Sequence, residues 1–227
     1  MKCKWGVNVM DKNEVIKKIE DKKIVVITRG IYGDELKKLA GAMVDGGISC
    51  FEITYDQTDP NTKETIKENI KMLEDAYGDV LTLGVGTVLT TDQVISAKEA
   101  GAKFIVSPNF NESVVKETLN QGLVSMPGCM TPTEICAADE AGADFIKLFP
   151  AGTLGVKYCK DIYAPIHHVK YIATVSVTEE TFEEYLKLGF AGAGISSRLI
   201  DKKLRDEGNY AELTRRAKEF VKIAEKY

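Results

Sequence analysis

A lysine stands inside the apolar run Phe145-Ile146-Lys147-Leu148-Phe149-Pro150. The run has the length and composition of a buried strand. Burying an unpaired ammonium is costly, and it disfavours the charged form, so the amine's pKa falls. At an ordinary pKa of ~10.4 only about one lysine in 2,500 is neutral at pH 7, whereas at ~8 roughly a tenth is. A neutral amine adds to carbonyls and forms Schiff bases. The bland alternative is a lysine that snorkels out of the strand end or pairs with a carboxylate. One carboxyl group is well placed in pattern. In Cys50-Phe51-Glu52-Ile53-Thr54 the alternation of a strand puts Cys50, Glu52 and Thr54 on one face and the bulky Phe51 and Ile53 on the other. By the same rule Phe145, Lys147 and Phe149 share a face, opposite Ile146 and Leu148. Should both polar faces look into one interior, two readings follow. One is an ion pair that only holds the core. The other is a nucleophilic amine with a carboxyl group that shuttles its protons, as carbinolamine formation, dehydration and carbon–carbon cleavage require. Buried ion pairs are poor stabilisers on balance, which favours the second.

Such a pair needs a scaffold. Eight short β-rich runs recur: Ile24–Thr28, Cys50–Thr54, Thr82–Val88, Phe104–Ser107, Leu123–Met126, Phe145–Phe149, Tyr171–Val175 and Ala191–Ile195. Amphipathic segments lie between them, among them Glu35–Val44, Lys63–Ala76, Thr91–Ala100, Ser113–Asn120, Pro132–Ala141 and Glu179–Leu188. The alternation predicts βα units and a parallel sheet. Gly101, Gly122 and Gly142 each stand just before a strand, as left-handed helix ends do. Thr131-Pro132-Thr133-Glu134 reads as a capping box with proline at the first helical position, and Thr90-Thr91-Asp92-Gln93 as another. Eight repeats in this length predict an α/β chain folded as a single (β/α)8 TIM barrel, residues 1–227, with an N-terminal helix at Lys12–Glu20 across its bottom. A doubly wound open sheet shares the alternation, but no G-x-G-x-x-G follows the first strand.

In a barrel the active groups gather at the C-terminal ends of the strands. The polar residues there are Thr28 and Arg29, Glu52 and Thr54, Thr87, Ser107, Lys147, Thr174, Ser196 and Ser197. A Gly-Thr-Leu-Gly loop, Gly152–Gly155, is expected after the sixth strand, followed by Lys157 and Tyr158; it is either a cover for the mouth or ordinary surface. The two histidines, His167 and His168, fall before the seventh strand, at the opposite end, where no catalytic or metal role is expected.

Bulk properties exclude several partners. The chain of 227 residues has a net charge of −4 and no basic cluster, which argues against nucleic acid and anionic membrane. No apolar stretch approaches the ~18 residues of a membrane span. The basic start, Met1-Lys2-Cys3-Lys4-Trp5-Gly6, is not followed by an apolar region, so no signal peptide is read and a cytoplasmic location is expected. Five cysteines without a C-x-x-C pair point to neither a disulfide framework nor structural zinc.

At these residues the chain resembles the class I aldolases that cleave 2-keto-3-deoxy-6-phosphogluconate (KDPG) and 4-hydroxy-2-oxoglutarate (KHG). The resemblance runs from about Glu14 to the C-terminus. It rests on Phe51-Glu52-Ile53-Thr54, Gly84-Val85-Gly86-Thr87-Val88, Phe104-Ile105-Val106-Ser107-Pro108, Met126-Pro127-Gly128 and Phe145-Ile146-Lys147-Leu148-Phe149-Pro150-Ala151, taken together. It implies that Lys147 forms the Schiff base with a 2-oxo acid and that Glu52 is the general acid/base. Thr87 and Pro108 would line the pyruvate pocket, and Gly128 would keep backbone close to the substrate. It further implies a homotrimer and no metal or other cofactor, since the iminium is the electron sink. A non-catalytic binder of keto acids or sugar acids, and an epimerase or isomerase barrel without a covalent intermediate, are the alternatives.

Two departures stand out. Where the better-known enzymes carry an arginine four residues after the glutamate, this chain has Asp56, expected to repel a substrate carboxylate; Arg29 resembles an arginine of some members and is the expected substitute. Where the family has Gly-Gly and Gly-Gly-Ser for a phosphate, the chain has Val175-Ser176 and Ile195-Ser196-Ser197. Thr174, Ser176, Ser196 and Ser197 are then the expected hydroxyl contacts at that end, and an unphosphorylated or unusual 4-hydroxy-2-oxo acid is expected as substrate.

Overall fold

β-Branched runs and amphipathic segments do alternate along the chain, and they close on one another. A computed structural model describes residues 11–227, so the basic start and Cys3 lie outside the described residues. The helices are α1 (Lys12–Lys22), α2 (Gly33–Asp45), α3 (Thr62–Tyr77), α4 (Thr91–Ala100), α5 (Glu112–Asn120), α6 (Pro132–Glu140), α7 (Ala151–Tyr163), α8 (Glu179–Leu188), α9 (Lys202–Asp206) and α10 (Tyr210–Ala224). The strands are β1 (Ile24–Thr28), β2 (Cys50–Thr54), β3 (Thr82–Gly86), β4 (Phe104–Val106), β5 (Val124–Met126), β6 (Gly128–Cys129), β7 (Ile146–Leu148), β8 (Tyr171–Thr174) and β9 (Gly192–Ile195).

All pairings are parallel, in the order β5-β4-β3-β2-β1-β9-β8-β7-β6. The two ends of that order are one bent stave. Pro127 separates β5 from β6, and proline has no N–H to give a ladder. The β5 half pairs with β4 and the β6 half with β7. The Phe145 N–H donates to the Ser125 carbonyl (3.1 Å) and the Lys147 N–H to that of Pro127 (3.0 Å), which knits the seam. Eight expected staves thus appear as nine strands of a TIM-like barrel.

Two apolar layers result. Inside lie Val25, Cys50, Phe104, Val106, Val124, Met126, Phe145 and Ile172, with Val15 and Ile19 of α1 closing the bottom. Between strands and helices lie Val26, Phe51, Ile53, Leu83, Ile146 and Leu148, as the alternation predicts. Helix α1 starts on an Asp11–Glu14 capping box, and α6 on the predicted Thr131–Glu134 box.

Three differences from the sequence reading have physical causes. The third strand ends at Gly86 rather than Val88, because Thr87 turns to φ 58°. The expected loop at Gly152–Gly155 is instead the first turn of α7, kinked at Gly155, where φ is 83°. Two glycines in four residues depress helix propensity enough to hide it. Helices α9 and α10 were not anticipated, although Leu213, Ala217, Phe220 and Ala224 form a buried stripe at helical spacing. Among the described residues no helix is long and apolar enough to cross a membrane.

Candidate active site

Strand β7 carries Lys147 between Ile146 and Leu148, which face the helices, so the lysine points into the barrel. It is only 7% exposed. Its Nζ lies 5.2 Å from the centroid of the Phe149 ring. Burial pushes its pKa below the usual lysine range; Glu52 opposes that shift and Arg29 adds to it. Strand β2 turns Glu52 into the same interior, 2% exposed. Burial pushes the Glu52 carboxyl above the usual range, against the pull of Lys147 and Arg29. Each group is therefore shifted toward its neutral form by loss of water. They feel one another's charge yet form no direct ion pair, so the core-holding reading is not the arrangement observed.

The glycines of β3 make the space. A Cβ on Gly86 would stand 1.6 Å from Glu52 Oε1, and one on Gly84 would stand 2.2 Å from the Phe104 ring. Both Glu52 and Phe104 thus lean across β3 where no side chain opposes them. Gly86→Ala should displace the carboxyl while leaving the barrel folded. We expect about a 100-fold loss of turnover, the scale of an ångström-sized misplacement, with an unchanged circular dichroism spectrum.

The rim around this pair is built from loop ends. Arg29, exposed just past β1, donates from Nη2 to Thr87 Oγ1 (3.2 Å). Its charge reaches both Lys147 and Glu52, so it stands at the mouth rather than on a remote surface. Pro108 follows β4, and Gly128 presses against it: a Cβ on Gly128 would meet the Pro108 carbonyl carbon and oxygen at 2.4 Å. The close approach at Gly128 is therefore to a neighbouring loop backbone. Thr174 is buried and donates to the Leu148 carbonyl (3.1 Å), and Thr28 donates to that of Glu52 (2.9 Å), so both hydroxyl protons are spent on strands. The Ser107 N–H donates to the Met126 carbonyl (3.1 Å).

Two rim features concern the departures read from the sequence. The Asp56 carboxylate accepts from the Thr58 N–H (2.8 Å) and the Thr58 hydroxyl (2.7 Å), which hold its pKa below the usual carboxylate range. It closes its own turn and stays ionised there. Next, the Val175-Ser176 pair keeps a backbone that glycine prefers, with φ 75° and 51°. Gly152 sits against it; a Cβ there would lie 1.9 Å from the Val175 carbonyl oxygen. Ser176 and Ser197 are exposed, and Ser196 is half-buried with its carbonyl accepting from Leu199 and Ile200. All three lie past the adjacent strands β8 and β9, with Thr174 below them.

Of the remaining candidates, Lys157 is exposed, and the Tyr158 hydroxyl donates to the Met130 carbonyl, tying α7 to the loop after β6. His168 meets Asp139 (3.2 Å) near the start of β8, away from the mouth. Among the described residues no three His, Cys, Asp or Glu side chains gather as metal ligands would. Gln57 was missed from sequence. Its amide donates to the Thr87 carbonyl (2.7 Å), and only its place beside a turn-forming aspartate hints at that.

Comparison with known proteins identifies a family. A family model described as "Aldolase: KDPG and KHG aldolase" matches residues 15–216, which sets the class of the molecule: an aldolase, hence a carbon–carbon lyase. The 2-dehydro-3-deoxy-6-phosphogalactonate aldolase of Escherichia coli K12 is 35% identical over 177 residues, 78% of this chain and 83% of the relative. The 2-dehydro-3-deoxy-phosphogluconate aldolase of Haemophilus influenzae is 30% identical, over 92% of this chain and 96% of the relative. A solved structure described as native KDPGal is similar at a TM-score of 0.78 and 32% identity, covering 89% of this chain and 94% of that one. The chain belongs to the KDPG and KHG aldolase family.

Proposed function

We propose that this aldolase works through a Schiff base on Lys147, with Glu52 as its general acid/base. The substrate is a 4-hydroxy-2-oxo acid, of the kind exemplified by 2-keto-3-deoxy-6-phosphogluconate and 4-hydroxy-2-oxoglutarate. The products are pyruvate and an aldehyde. The neutral amine adds to C2, and its proton passes to the former carbonyl oxygen. Glu52 protonates that hydroxyl, water leaves, and an iminium remains. Glu52, now a carboxylate, takes the proton of the C4 hydroxyl. The C3–C4 bonding pair flows into the iminium, and the aldehyde departs from an enamine. C3 then recovers a proton from Glu52, and water hydrolyses the iminium, freeing pyruvate and the amine.

The observation that carries this reading is the buried interior holding Lys147 and Glu52, each pressed toward neutrality without a contact ion pair. A salt-bridged ammonium would have no lone pair to offer. Arg29 with Thr87 supplies a cation and a hydroxyl for the substrate carboxylate, and Pro108 walls the pyruvate half. Ser176, Ser196 and Ser197 are the hydroxyls for the distal end, with Thr174 beneath them bound to the Leu148 carbonyl. There the helix starts are already capped by the protein, α8 by Thr178 with Thr181 and α9 by Asp201.

The test is reduction by borohydride in the presence of pyruvate. We expect a stable adduct, located by peptide mass spectrometry on Lys147. Full occupancy of the site by pyruvate with no adduct would instead mark a non-covalent binder. As further parts of the same proposal, the chain is one aldolase-type domain over residues 1–227, acting in the cytoplasm as a homotrimer.

A further inference from the structure

Thr87 holds an uncommon backbone. It is β-branched and non-glycine at φ 58°, a conformation that persists only where its surroundings over-determine it. Those surroundings are specific. The Gln57 amide nitrogen donates to the Thr87 carbonyl (2.7 Å). The Gln57 amide oxygen accepts from Gln93 Nε2 (2.9 Å), and Gln93 Oε1 accepts from the Leu89 N–H (2.8 Å). Gln93 is 7% exposed, so this second amide is a buried strut. On the next residue the Val88 N–H donates to the Val106 carbonyl (3.2 Å). Behind Gln57, the Asp56–Thr58 turn and the Asp56 N–H to Thr62 Oγ1 bond (2.9 Å) fix the loop that carries it. The Thr87 hydroxyl, so placed, accepts from Arg29 (3.2 Å).

We infer that Gln57 is a positioning residue, which locks Thr87 in its left-handed turn and thereby holds the Thr87 hydroxyl and the Arg29 guanidinium as one receptor for the substrate carboxylate. The inference rests on the proposed aldolase reading and adds a specific residue to it. It also gives Asp56 a purpose: the acid turns the loop so that its neighbour's amide reaches β3. Carboxylate recognition then comes from β1 and β3, braced by the loop after β2. Gln57 itself touches no reacting atom, so its loss should weaken binding of the acid and spare the chemical steps.

The measurement is exchange of the pyruvate methyl protons in heavy water, followed by NMR on the intact protein. This half-reaction needs the Schiff base and a proton shuttle, and no aldehyde. Gln57→Ala should raise the half-saturating pyruvate concentration about tenfold, or ~1.4 kcal/mol, with the maximal exchange rate within about twofold of the parent. In the Arg29→Ala background the same change should add less than about twofold, because the receptor is already broken. Gln57→Met, neutral and of similar length but without an amide, serves where the alanine variant does not fold. An unchanged half-saturation, a fall confined to the maximal rate, or full multiplication of the Arg29 and Gln57 effects would each overturn the inference. Borohydride trapping of pyruvate on the parent separates the two levels. An adduct on Lys147 with no Gln57 effect removes only the role of Gln57, whereas no adduct removes the aldolase reading beneath it.

Discussion

Lys147→Met should reduce retro-aldol turnover by about 10⁵- to 10⁶-fold, the scale seen when a covalent nucleophile is deleted. The thioether is close in length to the lysine stem, so the barrel interior stays filled. What disappears is the amine, and with it the carbinolamine, the iminium and the electron sink. The same change should leave thermal stability unaltered or slightly raised. It removes a polar head group from a site that is 7% exposed and offers it no hydrogen-bond partner among the described residues. Lost activity with retained or improved stability is the signature of a group kept for chemistry against its folding cost. The assay is pyruvate release from phosphorylated and plain 4-hydroxy-2-oxo acids, paired with a melting curve. Turnover that survives in the variant would refute the assignment.

Glu52→Gln should slow turnover by about two to four orders of magnitude, the usual contribution of a positioned general acid/base. The amide has the carboxyl's shape and fits the same space over Gly86, so misplacement is not the cause. It can neither give up nor take back a proton at C4, C3 or the carbinolamine oxygen. The amine itself survives, and pyruvate should still be captured on Lys147 by borohydride, more slowly. Loss of capture together with loss of turnover would mean that Glu52 serves the fold of the site rather than its protons. The two variants therefore separate covalent attachment from proton movement.

Much of this was legible in the chain. A period of two put Glu52 and Lys147 on inward faces, with Phe51, Ile53, Ile146 and Leu148 outward, because a strand offers only two sides. Helix starts such as Thr131–Glu134 were legible because capping is local chemistry. What escaped depends on long-range geometry or on a backbone angle. Nothing in the residue type of Thr87 announces φ 58°, and without that angle neither the Gln57 strut nor the contact with Arg29 can be drawn. Asp56 was legible as a charge, but its engagement with Thr58 depends on the turn. The packing of Gly128 escaped too, since its 2.4 Å approach is to Pro108, on a loop about twenty residues away in sequence. Helix α7 hid behind its own glycines.

The turn at Val175-Ser176 bears on how much change this chain tolerates. Two L-residues there occupy a conformation that costs roughly 1–3 kcal/mol each, against a net folding free energy of ~5–15 kcal/mol for an ordinary domain. The same loop marks where further sequence change is least forgiven, since a chain carrying that much internal tension has a thinner margin against any second lesion.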